Sequence, residues 1–298
     1  SVIKQSLSDP AASEVTNYKK FPEVPQSAPS SFEHDNVVKI DSCYWLVPGS
    51  ILVGVKENAN EFTLASAPSS MLHLPTECSY IAADGNYLYI KGQNQIYVVD
   101  VTVPSAPVLT ATIANPFSNS WTFEDCTWNV ADGRLYASTS EKMAVYDVSS
   151  PAAPSLLGNL NYGATGYSGL DFGLCSNIVI RDGKAYLEIT DDYQSHKVLV
   201  VDVSVPTNPM LLGASNVYAL KQAEFYPSDR LSVRGNYCFV NGVYGTFVVV
   251  DVQDPTAPNK FSSRAWSPAL VQPAQSMYFS ENYFICVDQH MDIQYVKD

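Results

Sequence analysis

Apolar and polar residues alternate along this chain in short bursts. In 86–91, Tyr87 and Tyr89 fall on one parity and Leu88 and Ile90 on the other, the period of a β-strand. Similar bursts at 79–83, 96–101 and 108–113 complete a group of four. Asp84-Gly85 breaks the first pair with a tight-hairpin signal, because glycine accepts positive φ. Residues 93–95 form the second turn. The stretch after Asp100 carries Pro104 and Pro107, and proline lacks the N–H that a ladder needs. Four antiparallel strands in about 47 residues make one propeller blade.

The group recurs. Val99-Asp100-Val101, Tyr146-Asp147-Val148, Val201-Asp202-Val203 and Val250-Asp251-Val252 are each followed by prolines four and seven residues after the aspartate. The aspartates are 47, 55 and 49 residues apart, and Asp298 lies 47 beyond Asp251. A period of this length marks a propeller or solenoid. The expected blades span 36–70, 78–113, 126–160, 175–214, 229–266 and 275–298. In the first, Gly54 takes the aspartate's place and the prolines are missing. The last has three strands.

The sequence Leu7-Ser8-Asp9-Pro10-Ala11-Ala12-Ser13 reads like Val148-Ser149-Ser150-Pro151-Ala152-Ala153-Pro154. Residues 1–20 are therefore expected to supply the outer strand of the last blade, closing a six-bladed ring, with 21–35 as a linker. Residues 1–6 then duplicate a third-strand position already filled by the C-terminus. The whole chain reads as one all-β domain.

The Val-Val-Asp-Val-x-x-Pro-x-x-Pro phrase, following Asp-Gly-x-x-Tyr or Gly-Asn-Tyr, resembles the LVIVD-repeat family of β-propellers. The resemblance implies a propeller fold and a bacterial or archaeal surface or secreted protein. It carries over no catalytic residue. The repeated aspartates and prolines read as turn devices: aspartate accepts turn N–H bonds and proline presets φ.

Composition narrows the function classes. A net charge of −13 argues against nucleic acid, whose phosphates call for Lys and Arg. It suits a cationic ligand, a bound calcium, zinc or copper ion, or a neutral glycan. No apolar run approaches a membrane span, so no membrane insertion is expected. Few lysines and many polar and tyrosine residues point to an extracellular or cell-surface protein. No Asn-x-Ser/Thr acceptor occurs.

Strand alternation divides the loops between two faces. The Asp-Gly hairpins and Asp…Pro…Pro corners share a uniform face. The longer, dissimilar connections at 66–77, 114–125, 159–174, 215–229 and 265–274 share the other, the expected site. All four histidines are expected there: His34 and His73 between blades, His196 and His290 in loops between second and third strands. Trp121, Phe123, Tyr167, Phe172, Tyr193, Tyr226 and Trp266 make an aromatic mouth for stacking on sugars or holding alkylammonium groups. The leading expectation is a recognition module that binds a glycan or a protein.

Two rivals stand beside it. A metal-dependent hydrolase or lyase at the channel mouth would use His34, His73 or His290 as base or ligand, with Asp125 or Asp171 as acid or orienter. His34, Cys78, Cys126 and Cys175 lie at the starts of consecutive innermost strands, and imidazole with thiolates suits zinc or copper. The bland counterpart is that cysteine fills a crowded inner rim as a small apolar residue. The other rival is a structural subunit of a surface assembly. Cys43 and Cys286 fall in blades that would meet at ring closure, which permits a closing disulfide. Gly166-Tyr167-Ser168-Gly169 lacks the strand–turn–helix setting of a hydrolase elbow and reads as a lid.

Overall fold

A computed structural model describes residues 2–5, 15–19, 37–57, 62–78, 80–117, 126–163, 174–190, 195–216, 218–219, 231–241, 246–265, 274–279, 283–288 and 293–297. It divides into two compact units: Ser1–Asn115 with Pro151–Ala153, and Pro116–Ser150 with Pro154–Asp298.

The first unit opens with β1 (Val2–Gln5) and β2 (Val15–Lys19), paired as a two-stranded sheet. Next come β3 (Val38–Ile40), β4 (Cys43–Leu46), β5 (Ile51–Glu57) and β6 (Phe62–Leu64), paired in that order, with β7 (Leu72–His73) added to β5. Then β8 (Ile81–Asp84), β9 (Tyr87–Lys91), β10 (Gln95–Asp100) and β11 (Val108–Ala114) form an antiparallel sheet.

The second unit repeats that sheet. It holds β12 (Thr127–Ala131), β13 (Arg134–Ser138), β14 (Lys142–Asp147) and β15 (Ser155–Asn161). β16 (Leu174–Arg181), β17 (Lys184–Thr190), β18 (Ser195–Asp202) and β19 (Met210–Ala214) follow, and β20 (Tyr218–Ala219) pairs with β18. β21 (Leu231–Arg234), β22 (Tyr237–Asn241), β23 (Thr246–Asp251) and β24 (Asn259–Ala265) make the next four-stranded sheet. β25 (Ala274–Phe279), β26 (Tyr283–Asp288) and β27 (Ile293–Lys297) make a three-stranded one.

First strands pack side by side: β3 beside β8 in one unit, and β12, β16, β21 and β25 in succession in the other. Where side chains are described, the apolar parity of a sheet is buried against its neighbour in the same unit. Trp45, Leu52, Leu88, Ile90 and Val99 fill one such seam; Tyr136, Met143, Val145, Leu187 and Val201 fill another.

The repeated phrase is a hydrogen-bonded corner. Asp100, Asp147, Asp202 and Asp251 each accept, through Oδ1, the backbone N–H two residues on, at 2.8–2.9 Å. The following valine donates its N–H to the first hairpin, Val101 to Asn86 O and Val148 to Gly133 O, both at 2.9 Å. Those hairpins use the expected residues. Asp132, Gly133, Asp182 and Gly183 have positive φ, so both central positions follow the primed-turn rule. In the β8–β9 turn the central pair is Gly85-Asn86, and only Gly85 has positive φ.

A β-bulge recurs where each third strand meets its fourth. The register shifts at Val98/Val99, Val145/Tyr146, Val200/Val201 and Val249/Val250, one and two residues before the aspartate. The residue just past the bulge is small: Ala111, Gly158, Gly213 or Ser262. The next corner explains this in the second unit. A Cβ on Gly158 would lie 2.5 Å from Pro206 O, and one on Gly213 2.5 Å from Thr256 O. The corner of one blade therefore rests on the outer strand of the blade before it.

β1 and β2 pair with each other, and their register shifts at Lys4/Gln5, as in a third-to-fourth-strand hairpin. The duplicated third-strand sequence at 1–6 thus gives β2 a local partner. In the first blade, Lys56 stands opposite Cys43 as Asp100 stands opposite Tyr87, so Lys56 takes the aspartate's place. Gly54 lies two residues earlier, against the Trp45 ring. Cys43 is a free thiol packed in the seam toward β8–β11, and the side chain of Cys286 lies outside the described ones.

Candidate functional site

At the end of the sheets opposite the corners, each described seam finishes in polar groups. In the first unit Thr76 Oγ1 lies 2.9 Å from Tyr97 OH, and Gln95 Nε2 donates to the same phenol at 2.5 Å. The Cys78 thiol donates to Thr76 O at 3.3 Å. In the second unit Ser138 Oγ lies 2.6 Å from Tyr162 OH, and that phenol also donates to the carbonyls of Thr139 and Lys142. Ser138 and Tyr162 are fully buried, so these bonds offset the desolvation of two hydroxyls.

The β16–β19 sheet is built differently at this end. β13 and β14 turn directly after the pair Ser138↔Met143, and β9 and β10 turn after Lys91↔Ile96. The matching pair in β17 and β18 is Glu188↔Val198, and the ladder continues for two more pairs, Ile189↔Lys197 and Thr190↔His196. β20 then pairs Tyr218 with His196 and Ala219 with Ser195. Glu188 and His196 sit diagonally on one face, with Nδ1 of the imidazole 2.8 Å from Oε1 of the carboxylate. They are 0% and 1% exposed, although His196 lies beyond the level at which the other two sheets turn.

Most of the expected site residues fall outside the described ones. His34, His290, Asp125, Asp171, Trp121, Phe123, Tyr167, Phe172, Tyr193, Tyr226 and Trp266 lie outside the described residues. His73 is exposed on β7. His196, expected in a loop, is a buried strand residue, because the β17–β18 ladder reaches further than its relatives. Cys126 and Cys175 are buried and Cys78 half-buried.

Their chemistry is that of packed thiols. Burial, with help from the Glu77 charge, pushes the Cys78 thiol up to about 12. Burial raises Cys175 further, and the Ser138 hydroxyl offsets this only in part. A metal ligand must shed its proton, and these surroundings oppose that. Among the described residues, no three His, Cys, Asp or Glu side chains gather as a metal ion requires.

Glu188 escaped sequence reasoning. Its signal is parity: it shares a strand face with buried Tyr186 and sits where the third blade has buried Ser138.

Antiparallel sheets of four strands, packed first strand to first strand, define a β-propeller. The chain carries LVIVD repeats: the LVIVD repeat profile matches residues 77–114, 193–217 and 228–263. Comparison of the sequence with curated proteins found no match. Similar solved structures include the β-propeller domain of Nup133 from Vanderwaltozyma polyspora, at 7% identity, TM-score 0.62, 90% of this chain and 83% of that one. A protein from Lactobacillus plantarum gives 14% identity and TM-score 0.61, covering 87% and 79%. The computationally designed Ika8 protein gives 9% and 0.56, covering 88% and 70%. At these identities the likeness is one of fold. Among the described residues no helix is long and apolar enough to cross a membrane.

Proposed function

We propose that this propeller is a secreted or surface-displayed recognition module that binds a glycan or protein ligand on its long-loop face. One observation carries the reading: among the described residues, elaboration is confined to one end of the sheets. In four blades the corner end repeats the same hairpin, aspartate and proline device. The other end varies, and in β17–β20 it gains ladder pairs, an added strand and a buried carboxylate–imidazole pair. A rigid scaffold with one varied end is how repeat folds present binding surfaces.

The expected contact residues are Trp121, Phe123, Tyr167, Phe172, Tyr193, Tyr226 and Trp266. Their rings supply stacking area, and the chain's net charge of −13 disfavours polyanions. The test is a screen of the full chain against an immobilised glycan array and against surface proteins of the source cell. A ligand found there should bind at least about tenfold more weakly to a Trp121→Ala, Tyr167→Ala, Trp266→Ala triple variant. Unchanged affinity in that variant, with the fold intact, would remove the long-loop face as the site. Fractionation of source cells tests the location, and recovery in the cytosol alone would refute it.

A further inference from the structure

We propose that the β9–β10 turn, with the connection leading into β8, forms a subsite for the hydroxyl groups of an uncharged glycan, centred on the Gln95 carboxamide. Such a subsite rests on the recognition reading above and gives it a ligand class.

The turn stands at the long-loop end of the second blade and carries Gln93, Asn94 and Gln95 in succession. Gln93 and Asn94 are exposed, and Gln95 is half-buried. A solvated glutamine samples many rotamers, and ordering it on a ligand costs entropy. Here the ordering precedes any ligand. Gln95 Nε2 donates to Tyr97 OH at 2.5 Å, and that phenol lies 2.9 Å from Thr76 Oγ1. Tyr97 is 1% exposed, fixed in the seam between the first two blades. Thr76 is held too. Its connection is tied to the β4–β5 turn on both sides, by Leu74 N–H to Ser50 O at 2.7 Å and Cys78 N–H to Gly49 O at 2.9 Å. Gly92 lets these groups converge, since a Cβ there would lie 2.7 Å from both Thr76 Oγ1 and the Tyr97 ring.

The tether uses one N–H of Gln95. Its other N–H and its Oε1 have no further partner among the described residues. They stand side by side as donor and acceptor, which matches neighbouring sugar hydroxyls, each able to accept and to donate. Residues 74–78 and 91–97 carry one charge of each sign, Glu77 and Lys91, so no net charge selects an ionic ligand. An extended peptide would bond along a strand edge. Here the turn's backbone is already engaged, with Gly92 N–H on Gln95 O at 2.8 Å and Asn115 N–H on Asn94 O at 3.2 Å. None of the exposed large apolar side chains lies in these stretches to seat a peptide's side chains.

The test uses the full chain on an array and in calorimetry. The probes are neutral oligosaccharides of glucose, mannose, galactose and N-acetylglucosamine, with sulfated and uronate-bearing oligosaccharides and extended peptides alongside. A neutral oligosaccharide is expected to bind, and Gln95→Leu should weaken it by about threefold or more, the loss of a neutral hydrogen bond. A Gln93→Ala, Asn94→Ala double variant should weaken it by a similar factor. Both of its positions are exposed, so it supplies the readout where Gln95→Leu does not fold. A neutral oligosaccharide bound equally by the parent and these variants would overturn the subsite and leave the recognition reading standing. Weaker binding in these variants, with none lost in the Trp121, Tyr167, Trp266 triple variant, would support the subsite and remove the aromatic contacts. Binding of anionic oligosaccharides alone, of peptides alone, or of no neutral oligosaccharide would each overturn the subsite.

Discussion

Replacing Gly158 or Gly213 by alanine probes the contact between successive blades directly. Neither glycine has positive φ, so alanine brings no backbone strain. On its own it would stabilise by roughly 0.4–1 kcal/mol through the unfolded chain. The obstacle is the next corner. A new Cβ at 158 meets Pro206 O at 2.5 Å and the Thr207 carbonyl at 2.9–3.0 Å. At 213 it meets Thr256 O at 2.5 Å and Pro255 O at 2.7 Å.

These are backbone atoms in a proline-stiffened turn, and they cannot swing aside as a lysine tip does. Overpacking of this kind costs roughly 1–3 kcal/mol, so the expected net loss is about 1–2 kcal/mol per site. Gly85→Ala is the control: it has φ +55 and open space around the missing Cβ. Its cost is left-handed backbone alone, roughly 1–2 kcal/mol, and is unrelated to the seam. Urea unfolding followed by tryptophan fluorescence reads the first sheets through Trp45 and Trp128, both fully buried. The seam contact predicts that a Gly158→Ala, Pro206→Ala double variant recovers part of the single loss, and that Gly85→Ala, Pro206→Ala recovers none. Gly158→Ala and Gly213→Ala both as stable as the parent would refute the reasoning.

Two further outcomes follow. Asp100, Asp147 and Asp202 have carboxyls held below their ordinary range, chiefly by hydrogen bonds from Thr102, Ser149 and Ser204. A depressed folded-state pKa gives stability that is present above the unfolded value and lost as pH falls through the folded one. The unfolding midpoint should therefore drop below about pH 4, less steeply in an Asp→Asn variant at all three corners; an unaltered slope would count against the corner bonds. Separately, Cys43, Cys126, Cys175 and Cys238 are buried. They should resist iodoacetamide at pH 8 in the folded protein and react on denaturation, with mass spectrometry as the check; Cys78, at about 12, is roughly one part in ten thousand thiolate there and should react slowly.

The blades were legible because each rests on local rules that repeat. Asp132-Gly133 and Asp182-Gly183 name their turn type, and proline at the corner forbids a ladder. What escaped was set by register. Gly54 looked like the aspartate's substitute by spacing, but the register of β4 and β5 puts Lys56 opposite Cys43. At the site, His196 read as a loop residue because ladder length is a tertiary property: the strands run on because β20 and the neighbouring seam support them. Glu188 was invisible as a partner because a diagonal pair across a hairpin needs the register first.

The recurrent bulge has a further consequence. β11, β15, β19 and β24 are the last strands of their sheets. A flat terminal strand offers a template to any extended chain it meets, which is how edge-to-edge aggregates begin. Here Thr110, Leu157, Leu212 and Phe261 are extra residues that throw the spacing of N–H and C=O groups out of step partway along. An incoming strand could match only the few residues on one side of the break. The same kink that seats the neighbouring corner therefore protects the protein against polymerising through its own sheets.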